Sequence, residues 1–269
     1  MSATAAIALN VFRESVRDKV LYNLVLFAVL LTAASYLIGQ LTAGQDVKII
    51  KDLGLSATSA FGLFIAVFIG IGLVSKEVER RSIYSLLAKP IQRWQLIAGK
   101  YAGLTLTLIV NVAIMAASLY VVLAYMSWGV PLEVQKAWDA PALDPGLLKA
   151  VLLILLELML LTAIALFFST FSTPMLSAGL TFALFIVGHF NTDLRNFEQV
   201  VDSPVAARLA RGLYWVLPNL SLFDVKSQVV HAQPVPAGDI LMTALYGALY
   251  IAVVLGAAMV VFSRRDFNR

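Results

Sequence analysis

Residues 55–100 read LSATSAFGLFIAVFIGIGLVSKEVERRSIYSLLAKPIQRWQLIAGK. The first part, Leu55–Ser75, has no charged residue, and its length is close to the roughly 20 residues with which an α-helix crosses a bilayer. The second part, residues 76–100, mixes basic, acidic and apolar residues around Pro90. This change predicts a chain that crosses a membrane and then emerges into water.

The composition of the whole chain agrees with a membrane protein. Of 269 residues, 60% are hydrophobic and 13% are charged, whereas soluble domains carry about 25% charged residues. The absence of cysteine excludes disulfides, thiolate metal sites and cysteine nucleophiles. The net charge of +4 indicates basic loops at a membrane rather than binding to nucleic acid.

Six apolar runs predict an all-α integral membrane protein with six transmembrane helices, because only helices satisfy their own backbone groups in lipid. The predicted spans are Leu21–Leu41, Leu55–Ser75, Tyr101–Met126, Leu148–Thr170, Met175–Asn191 and Ile240–Phe262. A cleavable signal peptide is an alternative for the first run, but the run is long for a signal core, so we expect a retained span.

The rest of the chain fits one membrane domain, residues 1–269. Residues 1–20 have apolar positions at helical spacing and predict an interfacial amphipathic helix. Residues 192–239 form the longest loop, with a second amphipathic helix predicted between Pro204 and Pro218. Basic residues are denser in residues 1–20, 76–100 and 263–269, which predicts both termini in the cytoplasm.

The charged segment has a helical pattern of its own. Ile83, Leu86 and Leu87 form an apolar patch from i to i+4 within a predicted helix over residues 76–88. Pro90 lacks an amide hydrogen and ends that helix, so it is a predicted hinge. A new helix then leads into the third span. A plain, solvated, positive-inside loop is the alternative.

The order of these features resembles the permease subunits of ATP-binding-cassette (ABC) transporters, in the type-2, exporter-type family. The likeness lies in KEVERRSIYSLLAKPIQRWQLIAGKYAG, the preceding GLVS, the amphipathic helix before the first span, FSTFSTPMLSAGLTFAL and PNLSLFDVKSQVV. These landmarks cover nearly the whole chain. The sequence is similar in particular to the permease of nitrous-oxide reductase maturation systems.

The resemblance implies that residues 76–100 hold a cytoplasmic coupling helix that docks on a separate ATP-binding subunit. The implied contact residues are Glu77, Glu79, Arg80, Arg81, Tyr84, Leu86 and Leu87. A phosphate loop is absent from the sequence, since Trp94 stands where its first glycine is needed and Tyr101 follows Gly99–Lys100. We therefore expect no catalytic residue and no bound cofactor in this chain, with ATP and magnesium held by two copies of the partner.

Two polar side chains lie within predicted spans. Glu157 is central in the fourth span and costs a few kcal/mol on insertion scales. It predicts either a polar or proton-coupling site or a hydrogen-bonded carboxyl that holds helices together, with Asn111 as a candidate partner. The two histidines, His189 and His231, are isolated in sequence and do not predict a metal site.

Small residues recur every four positions on two helices. They are Gly62, Ala66 and Gly70 in the second span, and Gly99 and Gly103 before the third. This spacing lets helix backbones approach closely. The contact is either internal or between two copies of the chain.

Three functions are compatible with the sequence. The first is a permease subunit that exports or extracts an unidentified substrate across a prokaryotic inner membrane. It would pair with a second permease copy, and an outer accessory protein is a further candidate partner. The second is a membrane scaffold that only transmits force from an ATPase. The third is a proton-coupled carrier that uses Glu157 and needs no ATPase.

Overall fold

The computed structural model describes residues 2–40, 46–79, 92–136, 138, 140–191, 212, 214 and 216–264, without the side chains of 72–79 and 93. Every regular element in these ranges is helical. In chain order they are α1 (Ala3–Val16), α2 (Lys19–Gln40), α3 (Asp46–Glu79), α4 (Arg93–Trp128), α5 (Leu132–Gln135), α6 (Gly146–Ser169), α7 (Pro174–His189), a 3-10 helix (Leu220–Phe223), α8 (Lys226–Val230) and α9 (Ala237–Arg264).

Five helices of the described chain are long and apolar enough to cross a membrane: α2, α4, α6, α9 and the Asp46–Ile71 part of α3. Many large apolar side chains on α2 and α9 are exposed, including Phe27 and Leu249. Surfaces of exposed apolar side chains are stable in contact with lipid. The all-helical membrane fold predicted from the sequence is therefore confirmed at this level.

The core of the bundle is α6, which is apolar on nearly every side. Most of its residues between Leu153 and Leu166 are buried, and α3, α4, α7 and α9 all pack against it. A helix that is apolar all round is typical of such a central position. We call the end of the bundle where α3 ends and α4 begins the proximal end, and the opposite end the distal end.

The fifth predicted span, Met175–Asn191, corresponds to α7, which is shorter than the other membrane helices. Thr173 caps α7 by accepting from the Leu176 amide at 3.5 Å, and Pro174 occupies its first turn. The helix has 16 residues, about 24 Å, which is less than the roughly 30 Å of a hydrocarbon core. The prediction of six spans is thus not confirmed for α7.

A folded-back segment, residues 216–236, fills the space beyond the end of α7. We call it the distal segment. Its Leu220 and Phe223 are fully buried, and Leu220 packs against Gly188 near the end of α7. The sequence predicted a surface loop here, but the apolar residues of the 3-10 helix and α8 join the core. The amphipathic helix predicted between Pro204 and Pro218 lies almost wholly outside the described residues.

The N-terminal helix α1 lies along the proximal half of α4. Ser2 caps it by accepting from the Ala5 amide at 3.3 Å. Val11 is buried with Leu96, Ile97 and Leu104 in a small proximal cluster. A helix is therefore present where it was predicted, with one face packed on protein, and its position at the membrane interface stays a prediction.

Candidate functional site

The predicted ATPase-contact residues lie at the proximal end. Arg80, Arg81, Tyr84, Leu86, Leu87 and the hinge Pro90 fall outside the described residues. Glu77 and Glu79 belong to α3, although the structure does not describe their side chains.

Two long helices contain the two ends of residues 76–100, which we call the coupling segment after its predicted role. α3 continues past the predicted end of the second span, Ser75, to Glu79, and α4 begins at Arg93. The backbone amide of Gln92 donates to Oε1 of Gln95 at 3.1 Å, which satisfies one free group at the start of α4. The coupling segment is therefore joined directly to two helices of the bundle.

The opposite ends of the same two helices line a cavity of about 560 Å³. Asp46 and Ile50 contribute from α3, Tyr125 and Trp128 from α4, and Tyr36 from α2. The rings of Tyr36 and Tyr125 meet edge to face with centroids 5.5 Å apart. α3 and α4 thus connect the coupling segment to this distal cavity.

Glu157 lies near the middle of α6 and is only 3% exposed. Its Oε1 atom is 3.4 Å from Nε2 of His189 at the end of α7. Among the described residues, no hydrogen bond reaches this buried oxygen. The sequence did not predict this pair, because the two residues are far apart along the chain.

Asn111, the predicted partner of Glu157, makes a different interaction. Its side-chain amide donates to the Thr107 carbonyl of its own helix at 2.7 Å. Within the described residues no hydrogen bond joins it to Glu157. Two charged residues of the distal segment, Asp224 and Lys226, act electrostatically on Glu157, and they lie 3.7 Å apart.

The small residues on α3 face α6 of the same chain. A Cβ atom on Gly62 would lie 2.4 Å from Cδ1 of Leu158, and one on Gly70 would lie 3.0 Å from the Ala165 Cβ. Ala66, between them, is buried. The α3 glycines therefore make intramolecular contacts in this structure.

The glycines at the start of α4 face α1. A Cβ atom on Gly99 would lie 2.8 Å from the Cβ of Ile7, and one on Gly103 would lie 2.5 Å from the Ala8 carbonyl oxygen. These two glycines allow α1 to lie directly on α4.

Sequence reasoning missed a second buried charge, Lys51. The residue is fully buried, and its ammonium donates to the Pro141 carbonyl at 2.7 Å. We placed the second span from Leu55, whereas α3 begins at Asp46. The signal was present, because Val47, Ile50, Lys51 and Leu55 share one face at helical spacing.

The chain matches one known protein family over almost its entire length. A family model described as ABC-2 family transporter protein covers residues 5–267. The chain belongs to the ABC-2 family of transporter proteins. No curated protein sequence matches it significantly.

Membership of the ABC-2 family confirms the resemblance drawn from the sequence. As an ABC-2 protein, the chain is a multi-pass membrane subunit that works with a separate ATP-binding partner, and it is not the ATPase itself. The narrower similarity to the permease of nitrous-oxide reductase maturation stays a prediction.

Proposed function

We propose that this ABC-2 protein is a permease subunit whose coupling segment, residues 76–100, is moved by the ATP-binding partner to export or extract a substrate. The observation that carries the proposal is the continuity of α3 and α4. Both helices extend from the coupling segment to the distal cavity. A displacement of one end of a continuous helix is transmitted to its other end.

The lengths of the two helices support this role. α3 has 34 residues and α4 has 36, which corresponds to about 51 and 54 Å, respectively. Both exceed the roughly 30 Å of the hydrocarbon layer. They also pack against each other, since a Cβ on Gly54 would lie 2.5 Å from Cδ1 of Leu119. A displacement of the coupling segment therefore acts on a packed pair of helices.

The proposed assembly has two permease chains and two ATP-binding subunits in a prokaryotic inner membrane. Both termini lie in the cytoplasm, so the proximal end is the cytoplasmic end. Glu77, Glu79, Arg80, Arg81, Tyr84, Leu86 and Leu87 contact the ATPase, and Pro90 is the hinge. ATP and magnesium bind to the partner subunit.

The proposal is tested by co-purifying the chain with candidate ABC ATP-binding subunits encoded in the same genome. The double variant Arg81→Glu, Leu86→Asp reverses a charge and removes an apolar contact on the predicted docking surface. We expect it to lose an ATPase that the native chain retains. An amphipathic helix seated in a groove depends on such apolar anchors.

A matched control makes the same chemical changes at the distal end. Lys136→Glu with Leu132→Asp alters two residues that are exposed around α5. This control is expected to retain the ATPase. The docking assignment is wrong if both double variants retain it equally. If the well-folded native chain captures none of the candidates in lipid discs, the proposed ATP-driven function fails.

A further inference from the structure

The surroundings of His189 favour one tautomer of its ring. Nδ1 lies 3.1 Å from the Phe185 carbonyl oxygen, one turn earlier in α7. A carbonyl oxygen only accepts hydrogen bonds, so Nδ1 must carry the hydrogen. In a neutral imidazole the other nitrogen, Nε2, then presents a lone pair.

That lone pair faces Glu157. Nε2 is 3.4 Å from Oε1, and an ionised carboxylate also offers only lone pairs. The two atoms attract each other only when a proton lies between them. We propose that Glu157 and His189 form a proton-binding site in which the pair shares one exchangeable proton. The proton resides either on the carboxyl group or on Nε2, and the pair is neutral in both cases.

Burial explains why the proton is retained. Glu157 is 3% exposed, and among the described residues no group other than His189 offers Oε1 a polar contact. Loss of the shared proton would leave one uncompensated negative charge in the bundle, which is costly in a medium of low polarity. The geometry thus gives the pair a function beyond helix packing: it binds a proton at the junction of α6 and α7.

The other ionisable groups around the pair come mainly from the distal segment. Asp224 and Lys226 act on Glu157 from there, and they offset each other as a pair 3.7 Å apart. From α4, the Tyr101 hydroxyl donates to the Met159 carbonyl at 3.3 Å.

Near Glu157, the described parts of α3 and α9 contribute no charged residue. Gly62 of α3 contacts Leu158, and the nearest charged residue of α3, Asp52, lies about 15 Å further along that helix. The charged residues of α9 are at its ends, Asp239 and Arg264. Among the described residues, the charged groups that act on Glu157 are Lys226 and Asp224, and α4 adds the buried Lys100 beside Tyr101.

His189 is the more exposed partner of the pair. Its side chain is 24% exposed, eight times the value for Glu157. Leu220 of the distal segment lies against Gly188, the residue before His189, where an added Cβ would be 2.8 Å from its Cγ.

The test uses 15N-histidine NMR on the full chain in lipid discs. The chain has two histidines, so His231→Asn leaves a single signal set from His189. We expect Nδ1 to be protonated, and at one fixed pH we expect the Nε2 signal of His189 to differ between the native chain and Glu157→Gln, because the variant lacks the carboxyl that shares its proton. Infrared difference spectra of the same two proteins should show the band of a carboxyl or carboxylate group that Glu157→Gln lacks.

Two results would overturn the proposal. One is an Nδ1 atom without a proton in the native chain, which needs no variant and so does not depend on whether Glu157→Gln folds. The other is an Nε2 signal of His189 that is unchanged by Glu157→Gln at the same pH. The experiment contains no ATPase, so its failure is distinct from a failure of the proposed transport function.

Discussion

The glycines of this chain differ in what surrounds them, and their substitution should therefore have unequal effects. A Cβ on Gly103 would meet a backbone oxygen of α1 at 2.5 Å and the Val11 Cβ at 2.7 Å. At Gly62 the nearest atom is Cδ1 of Leu158, the free end of a rotatable side chain. Gly256 on α9 has open space around it. Backbone atoms cannot rotate away, whereas a leucine end can.

We predict that Gly103→Ala destabilises the protein most, Gly62→Ala less, and Gly256→Ala least. Overpacking in a close contact costs about 1–3 kcal/mol, and the cost at Gly103 includes displacement of α1 from α4. Thermal unfolding of the three variants in one lipid-disc preparation measures the order. A Gly256→Ala variant that unfolds as early as Gly103→Ala would refute the packing argument.

Lys51 provides a second prediction at the scale of one residue. Lys51→Met keeps a long side chain in the buried position but removes the bond to the Pro141 carbonyl. A hydrogen bond from a charged group is worth about 1.5–3 kcal/mol. We expect hydrogen exchange of Gly146 and Leu147, whose amides donate to Asp144 just after the Pro141 segment, to become faster by roughly tenfold or more.

The matched control for Lys51 is Lys136→Met, which removes an exposed ammonium from the same end of the bundle. Its exchange rates at Gly146 and Leu147 should equal those of the native chain. Equal acceleration in both variants would mean that loss of charge, rather than loss of the buried bond, loosens the segment.

The sequence predicted single residues well where the signal is local. Glu157 is conspicuous because a charge interrupts an apolar run, and the glycine spacing is visible without a structure. The partner of Glu157 was not predictable, because His189 is brought to it by the depth at which α7 ends. That depth depends on packing between helices and leaves no periodic signal in either of them.

At the scale of elements, the distal segment is the main departure from the sequence prediction. It is held by buried apolar residues and by hydrogen bonds to the bundle. The Asn191 side chain donates to the Leu217 carbonyl at 2.9 Å, the Asn219 amide donates to the Tyr246 hydroxyl at 2.9 Å, and Lys149 donates to the Val235 carbonyl at 2.9 Å. These contacts make it part of the folded bundle.

Phe223 should be the main apolar anchor of the distal segment. It is fully buried, and its ring lies against Gly247 of α9. Truncation of a buried phenylalanine costs about 3–5 kcal/mol. We predict that Phe223→Ala releases the distal segment and makes it sensitive to proteolysis, while the long helices of the bundle stay intact.

Leu222→Ala is the matched control, since Leu222 precedes Phe223 directly but its own side chain is 45% exposed. The control should resist protease as the native chain does. If proteolysis cuts both variants at the same rate, Phe223 is not the anchor.

Hydropathy predicts the existence of apolar helices better than the depth that each reaches. The cores of all six predicted spans are helical, because apolar runs of that length have no other stable form in lipid. The start of α3 departs clearly from its predicted bound. It lies at Asp46 rather than Leu55, because the Lys51 ammonium is satisfied by a carbonyl, whereas α7 ends only two residues before the predicted Asn191.

At the scale of the whole molecule, the proposed function depends on two ends of the same helices. The coupling segment joins α3 and α4 at the proximal end, and the cavity beside Tyr36 and Tyr125 lies at the distal end. ATP binding by the partner should therefore alter the distal cavity. The chain has no cysteine, so labels can be introduced at chosen positions in the native background.

The most direct measurement labels Tyr36→Cys and Tyr125→Cys with spin labels in the complex with the ATP-binding subunit, diluted with unlabelled chain. The spin–spin broadening is then compared with and without ATP. We expect an ATP-dependent change in the broadening that disappears when Arg81→Glu and Leu86→Asp are added. An unchanged spectrum in a complex that still binds and hydrolyses ATP would contradict the claim that the coupling segment drives the distal end.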